Sequence, residues 1–231
     1  MRLLVFRAGA LGDTLMVTPL LRALSDAYPE GEIDVLASAS AAPILEHHPL
    51  IRRLDILKWR NLPYLLSREK HALVRRLGEA SYDLAVLLEQ APHYGELLTR
   101  ASIRDVRSFR EAPFDPEAHA IENYLRVADM DPTTTSHDME VFLTDEDRAR
   151  AGDLLSGLDP PRIGIHLGYG PGSKKKNQTA RLKGWPLEHF ARLSRSLAER
   201  GANLVFTGSK ADREDIARVA PESALDLSGQ T

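Results

Sequence analysis

The alternation of short apolar segments with amphipathic helices constrains this chain more than any other feature. Apolar runs at residues 2–6, 33–37 and 82–88 are predicted strands, and helical patterns cover residues 13–27 and 64–80 between them. Strands that alternate with helices indicate a parallel sheet with helices on both faces. The first part of the chain is therefore predicted to form an α/β domain of the Rossmann-like kind.

The same pattern restarts after a stiff break at Asp159-Pro160-Pro161, where we place a domain boundary. A βαβαβ run follows, with its elements predicted at residues 162–167, 186–200, 203–207, 211–219 and 224–227. Such a run is half of a doubly wound fold. The sequence thus predicts two Rossmann-like domains, residues 1–158 and residues 159–231, of which the second is incomplete.

Composition narrows the functional classes. Hydrophobic residues make up 43% of the 231 residues, which supports a globular core, and the net charge of -3 argues against general binding of nucleic acid. The absence of cysteine excludes a thiol nucleophile and a thiolate metal site, and it fits a reducing compartment. No segment reaches the roughly 20 apolar residues of a membrane span. We expect a cytoplasmic protein, for which peripheral contact with the inner membrane surface stays possible.

The turn after the first predicted strand is the first candidate site. It reads Gly9-Ala10-Leu11-Gly12-Asp13, and its glycines allow a ligand to approach the backbone closely. Ligands of doubly wound folds bind at the carboxyl ends of strands. An ionised Asp13 there can accept a proton from a hydroxyl group as that hydroxyl attacks. On local sequence alone, an N-cap with no chemical role is about equally good as an explanation of Asp13.

The glycine-rich loop between residues 168 and 186 is the second candidate site. Gly168 opens it, Ser173 lies within it, and five cations follow at Lys174, Lys175, Lys176, Arg181 and Lys183. Converging backbone N–H groups and clustered cations suit a diphosphate. The loop is not a P-loop, because Ser173 stands where the second glycine is required. The alternative is a solvated basic loop.

Other patterns carry less weight. Gly208-Ser209 is equally well explained as a nucleotide contact or a structural turn, and His166 is best explained as a hydrogen-bonded residue at a strand end. The D-x-D sequence at Asp129 to Asp131 precedes Pro132, so turn chemistry explains it better than metal binding. A basic cluster could receive an anionic acceptor, although a solvated face is the favoured explanation; it comprises Arg52, Arg53, Lys58 and Arg60.

Taken in order, these motifs resemble bacterial heptosyltransferases, the glycosyltransferase family 9 enzymes of lipopolysaccharide core assembly. The resemblance begins with Arg7-x-Gly-Ala-Leu-Gly-Asp13-x-Leu-x-x-Thr18-Pro19. It continues at Ile163 to Gly168, at Lys183-Gly-Trp185-Pro186, at Gly201 to Gly208, and at Asp226 to Thr231. Leu167 departs from this pattern, since the family usually has proline there.

The resemblance implies a GT-B fold and an inverting, metal-independent transfer from an ADP-heptose-like donor to a glycan or lipid-linked acceptor, without a cofactor. Asp13 matches the family's catalytic base, Lys183 its phosphate-binding lysine, and Thr179 a hydroxyl that contacts the donor phosphates. The family continues beyond the segment that ends at Thr231 with a motif that binds the donor sugar, so we expect a truncated chain. The alternative function is a non-catalytic homologue that binds acceptor, nucleotide or a protein partner.

Overall fold

The computed structural model describes residues 1–59, 62–168 and 184–230, which form two compact units, Met1–Arg148 and Ala149–Thr231. The first unit is built around a five-stranded parallel sheet with the strand order β3-β2-β1-β4-β5. Its strands are β1 (Arg2–Arg7), β2 (Glu32–Ser38), β3 (Ile51–Leu57), β4 (Leu84–Leu87) and β5 (Val106–Ser108).

Helices cover both faces of this sheet because its central strand is buried on both sides. They are α2 (Thr18–Ala27), α3 (Arg68–Ala80), α4 (Pro92–Arg100) and α5 (Ala120–Val127), and the short helix α1 (Leu11–Leu15) precedes α2. From β1, Leu3 and Val5 pack with side chains of α2 and α5, whereas Leu4 and Phe6 pack with side chains of α3 and α4. Successive strand residues point to opposite faces, so an uninterrupted apolar strand supports two helical layers.

The single helix predicted for residues 13–27 is two helices in the structure. Helix α1 ends at Leu15, and α2 begins at Thr18 with Pro19 as its second residue. Proline lacks an N–H group and suits the first turn of a helix better than its interior. The single continuous helix is therefore wrong, because Pro19 lies in the first turn of a separate helix.

The second unit carries a three-stranded parallel sheet in the order β6-β7-β8, formed by Arg162–His166, Asn203–Thr207 and Leu225–Asp226. Helices α7 (Leu187–Glu199) and α8 (Arg213–Val219) contribute apolar side chains to the core of this unit, in which Phe206 is fully buried. Helix α6 (Asp145–Leu154) crosses the division between the units. The domain boundary between residues 158 and 159 stays a prediction. It places the same strands in each domain as the division between Arg148 and Ala149 does.

Candidate functional site

The turn after β1 places Asp13 at the carboxyl edge of the first sheet. Asp13 is the third residue of α1, and Ala10 is the N-cap, so the prediction that Asp13 itself is the N-cap is wrong. The N-cap lies three residues earlier than predicted. Asp13 still belongs to the capping geometry, because its Oδ2 accepts a hydrogen bond from the Ala10 N–H at 3.3 Å.

Arg7, the last residue of β1, joins Asp13 to a second carboxylate. Its Nη2 lies 3.1 Å from Asp13 Oδ2, and its Nη1 lies 3.3 Å from Glu89 Oε1. The side chains of Arg7 and Glu89 are 15% and 12% exposed, whereas that of Asp13 is 41% exposed. Two carboxylates thus share one guanidinium, and Asp13 is the member of the trio that solvent reaches most readily.

Neighbouring groups hold this guanidinium in place. Arg7 Nη1 donates to the Leu88 carbonyl at 2.6 Å, and the Ala8 N–H donates to Glu89 Oε1 at 2.8 Å. The Arg7 guanidinium also lies 5.6 Å from the centre of the Tyr124 ring, in cation–π geometry. Burial raises the pKa of the Tyr124 phenol, which keeps it neutral beside the charged groups. Arg7 is therefore a fixed charge rather than a solvated one.

The two glycines of the turn have different surroundings. A Cβ atom on Gly9 would lie 2.9 Å from the Cζ, Nε and Nη2 atoms of Arg7, so this position must lack a side chain for Arg7 to lie across it. A Cβ atom on Gly12 would meet nothing within 4 Å. Packing within the described residues thus explains Gly9 but leaves Gly12 beside open space. Ala10 and Leu11 are also exposed there.

A cavity of about 720 Å³ lies beside this cluster, at the carboxyl ends of β4 and β5. Glu89 contributes to its wall, together with polar and aromatic side chains that include Gln90, Arg110, Phe109 and Phe114. The rings of Phe109 and Phe114 meet edge to face at 5.5 Å between centroids. Aromatic faces beside amide and charged groups suit a polar ligand with apolar C–H surfaces, such as a sugar.

The second sheet has glycines at its strand ends, packed around a buried carboxylate. Gly168 follows β6, and a Cβ atom there would lie 2.9 Å from Asp212 Oδ2 and 3.3 Å from His166 Nε2. A Cβ atom on Gly208, after β7, would lie 3.1 Å from the Cβ of Asp212. The predicted Gly168 is therefore required by close packing. Ser173, Thr179 and Lys183 lie outside the described residues, so their roles stay predictions.

The turn at Gly208-Ser209 is occupied by its own hydrogen bonds. Ser209 donates to Asp212 Oδ2 from its N–H at 2.8 Å and from its hydroxyl at 2.6 Å. His166 Nδ1 lies 3.0 Å from Thr207 Oγ1, as expected for a hydrogen-bonded histidine at a strand end. These contacts favour the structural explanation of Gly208-Ser209 over a nucleotide contact.

The remaining candidates have structural partners. Asp131 accepts hydrogen bonds from both the N–H and the hydroxyl of Thr133, which confirms the turn explanation of the D-x-D sequence. Arg52 pairs with Asp34, and Arg53 pairs with Asp55. Lys58 is exposed, and Arg60 lies outside the described residues. Within residues 1–59, 62–168 and 184–230, no group of three or more metal-ligating side chains comes together.

Sequence reasoning missed the roles of Glu89 and Asp212. Glu89 directly follows the predicted strand 82–88, so its place at the carboxyl edge was predictable, but a single acidic residue after a strand is an unspecific signal. Asp212 follows Ser209 by three residues, which is the spacing of a capping pair.

No described helix is long and apolar enough to cross a membrane.

Comparisons with known proteins give a consistent result. The model of glycosyltransferase family 9 (heptosyltransferase) matches residues 70–231. Lipopolysaccharide heptosyltransferase 2 of Escherichia coli K12 is 26% identical over 93% of this chain, and the match spans 65% of that relative's length.

Two solved structures share the fold over the whole chain. A glycosyl transferase of family 9 from Veillonella parvula superposes with a TM-score of 0.82 at 22% identity, and 70% of its chain is covered. E. coli ADP-heptose LPS heptosyltransferase II superposes with a TM-score of 0.75 at 23% identity, and 73% of its chain is covered. The predicted GT-B class is confirmed, and the chain spans 70% and 73% of the length of these two structures.

Proposed function

The chain belongs to glycosyltransferase family 9, the heptosyltransferase family, and from this premise we propose that it transfers a sugar from a nucleotide-activated donor to a glycan acceptor. The donor is an ADP-activated heptose or a related sugar, and the acceptor is of the lipopolysaccharide-core type. The E. coli relative and the E. coli solved structure both carry the heptosyltransferase name. We place the reaction in the cytoplasm, the compartment that suits a chain without cysteine.

The observation that carries the proposal is the arrangement of the Asp13 carboxylate. Its Oδ2 is held by the Arg7 guanidinium and the Ala10 N–H, whereas Oδ1 accepts no hydrogen bond from any described residue. One oxygen therefore orients the group and the other can receive a proton. The open space beside Gly12 leaves room for an acceptor hydroxyl near this turn.

In the proposed reaction, an acceptor oxygen attacks the anomeric carbon of the donor sugar. Its proton passes to Asp13, the new carbon–oxygen bond forms, and the bond between the anomeric carbon and the diphosphate oxygen breaks with its electron pair on ADP. Because attack and departure occur on opposite faces in a single displacement, the anomeric configuration inverts. Asp13 must release its proton before the next cycle.

Glu89 keeps the net charge of the site negative even though Arg7 is present. One guanidinium between two carboxylates gives the trio a formal charge of -1, so the site can take up one positive charge and become neutral. A pair formed by Arg7 and Asp13 alone would be neutral before the proton arrives. Glu89 thus acts as a positioning residue, because Arg7 pairs with Glu89 as well as with Asp13. The cavity walled by Glu89, Phe109 and Phe114 would hold the acceptor sugar.

On the donor side, we assign the diphosphate to the loop that opens at Gly168. Lys183, Thr179 and Ser173 would bind its oxygens, and the five cations of this loop would neutralise charge on the departing ADP. Such electrostatic stabilisation is generally the largest contribution to catalysis of this kind. Because these side chains would supply the charge, the proposal requires no metal ion.

A transfer assay tests this function. The chain is incubated with ADP-heptose and a heptose-deficient core oligosaccharide in the presence of a metal chelator, and the product is analysed by mass spectrometry and by NMR of the anomeric proton. We expect one heptose to be added with inverted configuration. Binding of ADP-heptose without turnover would instead support a non-catalytic binding protein, and transfer that requires a divalent ion would contradict the metal-independent step.

A further inference from the structure

Two serine hydroxyl groups at the end of β2 lie beside the turn that carries Asp13. Ser38 is the last residue of β2, and its hydroxyl donates to the Gly9 carbonyl at 2.8 Å. The Ser40 Oγ lies 3.1 Å from the Ser38 Oγ. We call Ser38 and Ser40 the hydroxyl pair. The proposed reaction assigns no role to either residue, although both lie at the edge of the sheet where ligands of such folds bind.

The register of the sheet brings the hydroxyl pair to the turn after β1. Strands β1 and β2 are parallel neighbours, and Ala37 lies opposite Arg7. Ser38, the next residue, therefore comes level with the first residue of that turn. Helix α1 also packs against the short 3-10 turn Ala42–Ile44, which follows Ser40. The end of β2 and the turn that carries Asp13 thus lie side by side.

Ser38 fixes the backbone on which Arg7 lies. Ser38 is 3% exposed and Gly9 is buried, so water does not compete for their hydrogen bond. A buried carbonyl without a partner is strongly disfavoured, and Ser38 supplies that partner. A Cβ atom on Gly9 would come within 2.9 Å of the Arg7 guanidinium. Ser38 is therefore a positioning residue for Arg7, and through Arg7 for Asp13.

Ser40 is exposed on a turn that is anchored in the core. The Ala41 N–H donates to the Ser38 carbonyl at 3.1 Å, which closes the turn around Ser40. Ala41 and Leu45, which follow, are fully buried. The Ser40 hydroxyl is thus presented to solvent by a fixed backbone at the carboxyl edge of the sheet.

The number of hydrogens determines the direction of these hydrogen bonds. A hydroxyl group has one hydrogen, and the hydrogen of Ser38 is committed to the Gly9 carbonyl, which can only accept. In the contact between the two serines, the Ser40 hydroxyl therefore donates to the Ser38 oxygen. Its own hydrogen is then used as well. Ser40 offers only lone pairs to a ligand, and no described residue donates to them.

A group that offers only lone pairs selects a ligand that donates a hydrogen bond. An ionised diphosphate oxygen has no hydrogen to donate, so it cannot bind Ser40 while the bond between the two serines is kept. A sugar hydroxyl can donate. It would extend the series of hydrogen bonds that runs from Ser40 through Ser38 to the Gly9 carbonyl, and bonds in such a series strengthen one another. The hydroxyl pair therefore suits a sugar rather than a diphosphate.

We propose that Ser40 binds a hydroxyl group of the acceptor sugar and thereby helps to select the acceptor, while Ser38 holds Ser40 and the Gly9 carbonyl in position. This hydroxyl is not the attacking one, because the single hydrogen of the attacking hydroxyl passes to Asp13. One acceptor hydroxyl is thus bound at Ser40 while another faces Asp13. The inference rests on the proposed function, since it names a substrate contact of the same site.

Equilibrium binding tests this contact without turnover. Calorimetry in the presence of ADP measures the affinity for the heptose-deficient core oligosaccharide and for analogues that each lack one hydroxyl of the terminal sugar. In the wild type, we expect one analogue that keeps the attacking hydroxyl to bind about three- to tenfold more weakly, the usual contribution of a neutral hydrogen bond. In Ser40→Ala, the complete acceptor should bind as weakly as this analogue, and the analogue should lose nothing further.

Two further variants serve as comparisons. Ser136→Ala removes another exposed serine hydroxyl of the first unit, one that bonds to Asp138, and it should leave all affinities unchanged. Ser38→Ala should lose the discrimination between the complete acceptor and the analogue, and it should also lower the transfer rate at saturating acceptor because Arg7 is released. A ratio of two affinities measured on one preparation does not depend on the fraction of folded protein, so a loss of stability cannot imitate the loss of discrimination.

Three results would overturn the inference. In the first, every analogue loses the same factor in Ser40→Ala as in the wild type. In the second, Ser40→Ala weakens the binding of ADP instead of the acceptor, which would place a phosphate at Ser40. In the third, the wild type does not bind the acceptor. If the wild type discriminates as expected but transfers no sugar, then the proposed function fails and the contact at Ser40 stands.

Discussion

Asp13 and Asp212 occupy the same local position in the two units and have different surroundings. Each is the third residue of a helical turn that follows a parallel strand, and each accepts the backbone N–H of the residue three positions earlier. Asp212 is 6% exposed and its Oδ2 also receives the Ser209 hydroxyl, whereas the Asp13 side chain is 41% exposed and pairs with Arg7. The same capping geometry therefore lies buried in one unit, whereas in the other it leaves a partly exposed carboxylate, to which we assign the proposed role of base.

Replacing Asp13 should produce the largest effect. In Asp13→Asn the side chain keeps its shape but no longer takes a proton, so we expect the transfer rate to fall by about 10²–10⁴-fold. Stability should change little, because the residue is partly exposed. Measuring the transfer rate and the thermal unfolding of the same variant checks this prediction. A variant that loses both activity and stability would make Asp13 a structural residue like Asp212.

Neutralising Glu89 should have the next largest effect. In Glu89→Gln the full charge of Arg7 falls on Asp13, so we expect transfer to drop by about ten- to a hundredfold, since small errors in placing a catalytic group cost that much. The exposed Glu30→Gln provides a control with the same charge change. Equal rates for both variants would remove Glu89 from the site.

Replacing Asp212 should affect the stability of the fold. Asp212→Ala removes the acceptor of both Ser209 hydrogen bonds and should lower the free energy of unfolding by about 1–2 kcal/mol. Asp13→Ala should cost less than about 1 kcal/mol, the usual size of a charge effect near the start of an exposed helix. Denaturant titration of both variants measures the difference, and similar losses would erase the distinction between the two positions.

Replacing Gly12, beside Asp13, should change stability only slightly and in the opposite direction. Gly12→Ala introduces a methyl group into open space within α1 and should stabilise the fold by about 0.5–1 kcal/mol. If the acceptor uses this space, the same variant should raise the acceptor KM. Gly9→Ala should displace Arg7 and reduce transfer, and an unaffected KM in Gly12→Ala would place the acceptor elsewhere.

Much of the fold was predictable because the strands are buried on both faces and read as apolar runs. Helix α4 and strand β5 were missed for specific reasons. Helix α4 begins with proline and contains Gly95, and β5 has only three residues, all half-buried. Strand β5 has no apolar run, and the apolar residues of α4 that follow a helical spacing, Tyr94, Leu97 and Leu98, span little more than one turn. Strand β5 pairs with β4, and α4 packs against α3.

The candidate site was predictable at Asp13 but not around it. A carboxylate after a strand and a glycine turn indicates the place where ligands bind. The local sequence does not distinguish an aspartate that caps a helix from one that acts as a base. The distinction arises from Arg7 and Glu89, which lie 82 positions apart and meet only because β1 and β4 are neighbours. Such a contact depends on sheet order, which no local pattern contains.

The pH dependence of transfer tests most directly whether Asp13 takes the acceptor proton. The rate is measured at saturating donor and limiting acceptor, in the wild type and in Asp13→Asn, with thermal unfolding recorded at each pH. The account predicts that the wild-type rate falls toward acid as the base is protonated, and that this acid limb disappears in Asp13→Asn at a much lower rate. An acid limb of the same shape in Asp13→Asn would show that another group accepts the proton.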